Sequence, residues 1–411
     1  VVDHWGWAGA SALATFLLAG TYASLARWLV REGTTPLTAG GVTMLAVGIG
    51  SIHFLVRPHL FTYVFVFWTL RACRDYHLRK DWRIWTIPPV VALWANLHGG
   101  FLAGPLTVAA AGLGEAISGA WDADRKRKLV VFGAVGALSS LAALINPYGV
   151  GLYRHVFDLL LHSGVTELIG EYRSAPFGSG EAQILEWVVL GLIALPVFSR
   201  NQVSRYDLVP ALVWLHLALG SIRHAPFFAM AVAPMLARLV DGVMRPETER
   251  ALASRSERWS AWVPLASVGL LLAMVLNLPL GGPDPQHWPL KAVRELNRLD
   301  PAIRLFHEQD WGGLIEAECR PKRRTFLDDR FELWGKQPIL DYVQALEGGP
   351  AWDEIQQREQ IGLVWIKPDR PLARRLRKES AWKVVYRDRL SILFERNPRA
   401  QSAESLAANG D

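Results

Sequence analysis

Apolar runs of membrane-crossing length follow one another through the first two thirds of the chain, and short polar or basic connections separate them. A helix needs about 20 apolar residues to cross the hydrocarbon. The runs fall at roughly 5–28, 36–56, 59–72, 84–97, 100–119, 129–146, 182–199, 207–221, 225–241 and 260–280, about ten segments in all. The third and fourth are short, and the fourth carries Pro88-Pro89, so this pair is expected to be tilted or re-entrant. From Asp284 to about Pro398 the pattern changes to that of a small α/β domain. Helices are expected at Leu290–Leu299, Ile339–Glu347, Asp353–Gln360 and Pro371–Lys378. Strands are expected at Ile303–Phe306, Arg324–Leu327 and Gly362–Lys367, with a closing hairpin of Trp382–Tyr386 and Ser391–Glu395. Asp310-Trp311-Gly312-Gly313 reads as a turn. The fold class is therefore an all-α polytopic membrane domain (1–283) followed by a small extracytoplasmic α/β domain (284–398), with a disordered tail (399–411).

Composition supports this division. Hydrophobic residues make up 51% and charged residues 20%, and the mean hydropathy is +0.16. Soluble domains carry about a quarter charged residues, so the composition argues against a simple soluble protein, and disorder, collagen-like structure and a disulfide scaffold are excluded. The net charge of +6 is no nucleic-acid signal, because the cations cluster in short loops between apolar runs. Alternate connections hold Arg31; Arg71, Arg74, Arg79, Lys80 and Arg83; Arg125 to Lys128; Arg200 and Arg205; then Arg245, Arg250, Arg255 and Arg258. The positive-inside rule makes that set cytoplasmic and places the N-terminus and everything after Leu280 outside. Trp5, Trp7, Trp28, Trp82, Trp85, Trp121, Trp259 and Trp262 stand near segment ends, where an amphipathic ring prefers the interface. Cys73 and Cys319 fall on opposite sides of the membrane, so no disulfide is expected. The chain opens Val1-Val2-Asp3, without methionine or a signal segment, as a processed or truncated product does.

The unusual polar residues gather at the outer face. Three helices are expected to start there, at Arg57-Pro58-His59, at Asn96-Leu97-His98-Gly99-Gly100 and at Arg223-His224-Ala225-Pro226. Proline suits a first helical turn, and a helix N-terminus offers free N–H groups and partial positive charge. An arginine or histidine at each start makes a cationic pocket suited to phosphate. Taken singly, each arginine can snorkel to the headgroups and His98 can be a packing residue; the combination on one side and at one depth points to an anion site. Asn146-Pro147-Tyr148-Gly149 ends a helix, and Glu171-Tyr172-Arg173-Ser174 lies in the long outer loop, where the carboxylate can act as a base, hydrogen-bond a sugar hydroxyl or be a plain solvated charge. For Asn146-Pro147 a plain turn is the simpler reading. In the α/β domain, Asp328-Asp329-Arg330 can hold a metal or sugar hydroxyls, although a cap or an ion pair with Arg330 is the plainer reading. No Walker loop, dinucleotide fingerprint, zinc motif or nucleophile elbow is present.

These motifs resemble the GT-C superfamily of membrane glycosyltransferases, in particular bacterial relatives of the protein mannosyltransferase and lipid A aminoarabinose transferase type. The resemblance lies in Arg57-Pro58-His59-Leu60-Phe61-Thr62, Trp94-Ala95-Asn96-Leu97-His98-Gly99-Gly100-Phe101, Asn146-Pro147-Tyr148-Gly149, Glu171-Tyr172, Arg223-His224 with Phe227-Phe228, Asp310-Trp311-Gly312-Gly313 and Phe326-Leu327-Asp328-Asp329-Arg330. It implies transfer of a hexosyl or pentosyl group from a polyprenyl-phosphate carrier to a glycan, lipid or protein acceptor of the cell envelope. It also implies that Arg57, His59, His98, Arg223 and His224 hold the carrier phosphate, that Asn96 and Glu171 contact sugar or acceptor, and that Tyr148 belongs to the substrate-binding set. Such enzymes place an acidic residue in the first outer loop. By this resemblance the chain starts where a family member has already passed its first helix and that loop, so either the catalytic half-site belongs to a missing N-terminal segment or Glu171 substitutes for it as the catalytic residue. A divalent metal is compatible with the resemblance but not required by it. Two other readings stand beside it: a transporter or flippase of a lipid-linked anionic sugar, and a non-catalytic envelope assembly protein.

Overall fold

The computed structural model describes residues 2–161, 164, 166, 170–178, 180–244 and 282–397. It is mostly helical, with a four-stranded sheet in the C-terminal part. The last predicted span, 260–280, the basic connection before it with Trp259 and Trp262, and the predicted tail 399–411 lie outside the described residues. The chain divides into two compact units. One comprises Ala10–Asp158 and Ile169–Leu278; the other comprises Pro279–Asp411 together with Val1–Gly9 and Leu159–Leu168.

Ten α-helices lie between residues 2 and 244 among the described residues: α1 (Val2–Arg31), α2 (Pro36–Ser51), α3 (Leu60–Arg79), α4 (Ile87–Leu97), α5 (Ala103–Ile117), α6 (Ala123–Ala142), α7 (Val150–Leu161), α8 (Gly180–Phe198), α9 (Arg205–Gly220) and α10 (Ala225–Val243). Local chemistry marks their ends. Pro36 opens α2 behind Thr35, whose Oγ1 accepts from the Thr38 N–H at 3.4 Å. Asp122 caps α6 through the Arg125 N–H at 2.8 Å, and Ser204 caps α9 through the Asp207 N–H at 3.3 Å. α1 is broken at Gly6, whose φ of 63° favours glycine. α3 runs to Arg79, so the third predicted span is longer than expected rather than short. α7, in the loop after Asn146, is an addition to the expected set.

α10 is the centre of this unit. It is buried on nearly every face and packs against α2, α3, α8 and α9, with Ala229, Ala231, Ala233 and Ala237 allowing close approach. Asp241, near its end, accepts from the Thr35 N–H and Oγ1, both at 3.0 Å, which places a carboxylate at the start of α2. Far along α3 from its start, buried charges pair with one another. Arg74 meets both Glu32 and Asp207, and Arg238 meets Asp207. His77 stacks on Tyr206 at 3.9 Å and pairs with Glu115. Buried ions need such partners, because removing one leaves an uncompensated charge.

Among the described residues three helices are long and apolar enough to cross a membrane: Trp5–Arg31, Gly99–Ile117 and Ile222–Val243. α2 has 16 residues, about 24 Å of helix against a hydrocarbon core of about 30 Å, and α3 and α6 carry several charges. Large apolar side chains face outward, Phe16 at 68%, Val130 at 71% and Ile193 at 70% exposure. Such an exterior suits lipid rather than water and suggests a membrane protein. Trp5, Trp82 and Trp121 are exposed as expected of interface rings. Trp28 is not: it is buried edge-on against Phe67, with ring centres 5.9 Å apart.

The C-terminal sheet comprises β1 (Arg304–His307), β2 (Ile361–Ile366), β3 (Trp382–Arg387) and β4 (Ile392–Arg396) in the order β1-β2-β4-β3. β1 and β2 are parallel, while the β3–β4 hairpin adds β4 antiparallel to β2. β2 is buried along its whole length, which explains its unbroken apolar run. Helices α11 (Leu290–Leu296), α12 (Gly312–Glu318), α13 (Lys336–Leu346), α14 (Pro350–Arg358) and α15 (Pro371–Leu376) complete this part. The strand expected at Arg324–Leu327 does not form. Arg323 and His307 bind the segment through side chains instead of a ladder, as detailed below. The Gly312-Gly313 pair expected in a turn opens α12; a Cβ on Gly312 would stand 2.5 Å from the Asp328 Cβ.

Candidate functional site

The three helix starts read from the sequence fall on histidines. His59 immediately precedes α3, His98 precedes a 3-10 turn leading into α5, and His224 precedes α10 with its Pro226 in the first turn. Each histidine makes a backbone hydrogen bond that fixes its ring. His59 Nε2 donates to the His53 carbonyl at 3.0 Å, and His224 Nδ1 donates to the Leu217 carbonyl at 3.2 Å. His98 Nδ1 accepts from the Gly100 N–H at 3.0 Å. The same nitrogen lies 2.9 Å from the Thr62 hydroxyl, which in turn accepts from the Trp94 indole at 3.0 Å. With Nδ1 accepting, the proton of the neutral His98 ring belongs on Nε2.

These starts enclose a cationic cluster around one carboxylate. Arg57 Nη1 donates to Glu171 Oε1 at 2.9 Å, and His53 Nε2 lies 4.0 Å from Glu171 Oε2. The His53 and His59 rings are 4.4 Å apart, and the His59 and His98 rings 6.4 Å. Arg57, His59, His98 and Arg223 all lie within electrostatic reach of His53. Arg223 stacks its guanidinium 4.4 Å above the Tyr172 ring, one residue from Glu171. Main-chain bonds hold that segment in place. The Glu171 carbonyl accepts from Ser221 Oγ at 2.9 Å, and the Arg173 carbonyl accepts from the Ile222 N–H at 3.0 Å. The structure thus brings together Arg57, His59, His98, Arg223 and Glu171.

Two candidates stand apart. The Asn96 amide donates to the Ala92 carbonyl of its own helix at 2.8 Å and to the Ile145 carbonyl at 2.7 Å, the second bond tying α4 to the chain beyond α6. It cannot also donate to a sugar. Tyr148 is 76% exposed and has no side-chain hydrogen bond or ring partner among the described residues. His224 adjoins the cluster through Arg223, but its ring lies among Trp214 and Phe227, at 6.1 and 6.3 Å. The sequence reading missed His53. Its signal was present: a histidine near the end of an otherwise apolar run is costly in a membrane and functional by default.

Burial depresses the His98 pKa to about 4, with the nearby Arg223 charge and His59 adding to the effect. A neutral ring at neutral pH suits hydrogen bonding rather than charge pairing, so the permanent positive charge of the cluster comes from the arginines. In the α/β domain Asp328 is nearly fully buried and chelates Arg330, with Nε at 3.1 and 3.0 Å from its two oxygens and the Arg330 N–H at 3.0 Å. The pair is structural. Cys73 and Cys319 are buried free thiols. Among the described residues no group of three or more His, Cys, Asp or Glu side chains could hold a metal ion. In comparisons with known proteins, the chain matches no family model and no curated protein.

Proposed function

We propose that this protein is a membrane glycosyltransferase of the GT-C type, moving a sugar from a polyprenyl-phosphate carrier to an acceptor of the cell envelope. The observation that carries the proposal is the convergence of Arg57, bonded to Glu171, and Arg223, stacked on the adjacent Tyr172, within electrostatic reach of His53 beside His59 and His98. In this reading the carrier phosphate binds the two guanidinium groups, which are well shaped for its oxygens. The acceptor hydroxyl attacks the anomeric carbon and gives its proton to Glu171. The bond from that carbon to the phosphate oxygen breaks, and the phosphate leaves with the electron pair. Neutralising that departing charge is electrostatic work, worth about 2–4 kcal/mol per arginine.

The membrane arrangement belongs to the same proposal. The apolar helices and the run at 260–280 cross the bilayer about ten times, with the basic connections cytoplasmic and the α/β domain outside. The cluster then sits at the outer interface, within reach of a carrier headgroup. The test is transfer from labelled polyprenyl-phosphate sugars to envelope acceptors by the full-length protein in membranes. Glu171→Gln and Arg57→Ala/Arg223→Ala should each lower the rate at least about 100-fold. Undiminished transfer by both variants, or flux of the carrier without transfer, would overturn the proposal.

A further inference from the structure

A second cationic cavity lies in the α/β domain, independent of the cluster just described. β1 is an edge strand, hydrogen-bonded to β2 on one side alone. The segment Lys322–Phe326 runs along its free side but is not zipped to it. Two side-chain staples hold the segment. At one end Arg323, itself buried, donates to the Ile303, Leu299 and Asp300 carbonyls, each at 2.9 Å. At the other end the Phe326 N–H donates to His307 Nε2 at 2.9 Å. Between the staples lies a cavity of about 470 Å³, a size typical of small-molecule sites at about 300–1,000 Å³.

The lining defines the ligand chemistry. Arg304, Lys322 and Arg324 supply three positive charges, and Thr325 adds a hydroxyl. Arg304 is balanced by Glu359 at 2.7 Å. Lys322 and Arg324 have no carboxylate partner among the described residues and are exposed at the mouth. The strand contributes as well. The Glu308 N–H faces β2, bonding the Trp365 carbonyl at 3.1 Å, so by strand alternation Leu305 turns its own N–H and carbonyl to the free edge. Pro301, Ile303 and Phe326 complete an apolar wall. An extended peptide would normally extend such an edge. Here the staples leave room for only about four residues' length, roughly 13 Å, which suits a compact ligand.

We propose that this cavity binds a phosphate monoester of about monosaccharide size, its dianion held by Lys322 and Arg324 and its hydroxyls by Thr325 and the β1 edge. The test uses the full chain carrying Arg57→Ala/Arg223→Ala, in phosphatidylcholine nanodiscs, with glucose 1-phosphate as the probe in calorimetry. Saturable binding of one equivalent is expected, weakened by salt and weakened at least about tenfold by adding Lys322→Gln/Arg324→Gln. Both side chains are exposed, so the unfolding midpoint of that variant should match its parent. Glucose itself should not bind. If phosphatidic acid in the nanodisc displaces the probe, the natural source is a lipid phosphate monoester; if not, it is a soluble ester. Absence of saturable binding, or equal binding by the Lys322→Gln/Arg324→Gln variant, would overturn the proposal.

Discussion

The Arg57 guanidinium bonds the Glu171 carboxylate at 2.9 Å across 114 positions of sequence. The pair is partly open, with 43% of the arginine side chain and 33% of the glutamate exposed. A carboxylate in this position occupies the place a phosphate oxygen would take. If the carrier phosphate binds Arg57 as proposed, it competes with Glu171 and frees the carboxylate to accept a proton.

That competition separates binding from turnover in one variant. Glu171→Gln removes the competing charge and should tighten polyprenyl phosphate binding by about tenfold, or about 1.4 kcal/mol. The same change should abolish transfer. Calorimetry on the nanodisc-embedded variant beside a transfer assay checks both; weaker binding than wild type would contradict the competition.

Arg223 acts through a plane as well as a charge. Arg223→Lys keeps the charge but loses the stacked fork above Tyr172. It should weaken carrier binding by about 1–2 kcal/mol, and Tyr172→Leu should produce a similar loss. Wild-type affinity in both variants would show that the stacking is incidental.

The packing at His98 leaves no room at Gly100. An added Cβ would lie 2.8 Å from His98 Nδ1 and 3.0 Å from Thr62 Oγ1. Gly100→Ala should destabilise the protein by about 1–3 kcal/mol and displace the ring, whereas Gly99→Ala, which meets nothing within 4 Å, should be mild. Thermal unfolding in detergent distinguishes the two.

His98 also carries a pH signature. The folded protein keeps the ring neutral down to about pH 4, whereas the unfolded chain protonates it near the ordinary value of 6.5. Protonation therefore favours unfolding. The contribution is fully present above pH 6.5 and is lost as pH falls from 6.5 toward 4. Nitrogen NMR of labelled histidine, with His98→Gln to assign the signal, should show an Nε2–H ring with no titration near 6.5.

Arg323 bridges the carbonyls of Ile303, Leu299 and Asp300 with a further bond to Leu296 at 3.3 Å. Arg323→Met should leave these groups unsatisfied and destabilise the α/β domain by about 2–4 kcal/mol. Hydrogen exchange of β1 and α11 should rise in the variant, and unchanged protection would contradict the staple.

The parts of the site legible in the sequence are those set by local chemistry. Pro58, Gly99-Gly100 and Pro226 mark helix starts, and His59, His98 and His224 stand beside them in the structure. β2 was legible because burial on both faces leaves an unbroken apolar run. What depended on distant partners was not. Nothing near Glu171 announces Arg57, and His53 was hidden inside a run read only for its hydropathy. The packing role of Asn96 was not legible either, because a side-chain amide can turn to backbone carbonyls as readily as to a ligand, and Ala92 and Ile145 take both its hydrogens. The strand expected at Arg324–Leu327 failed for a related reason. Its alternating pattern suits a ladder, but Arg323 and His307 fasten it by side chains before a ladder can close.

The most direct measurement is binding of polyprenyl phosphate to the full-length protein in nanodiscs, comparing wild type with Arg57→Ala/Arg223→Ala. Saturable binding by the wild type, lost in the double variant, is the expected result. No binding, or binding indifferent to both arginines, would contradict the carrier site and leave the two residues as interface cations.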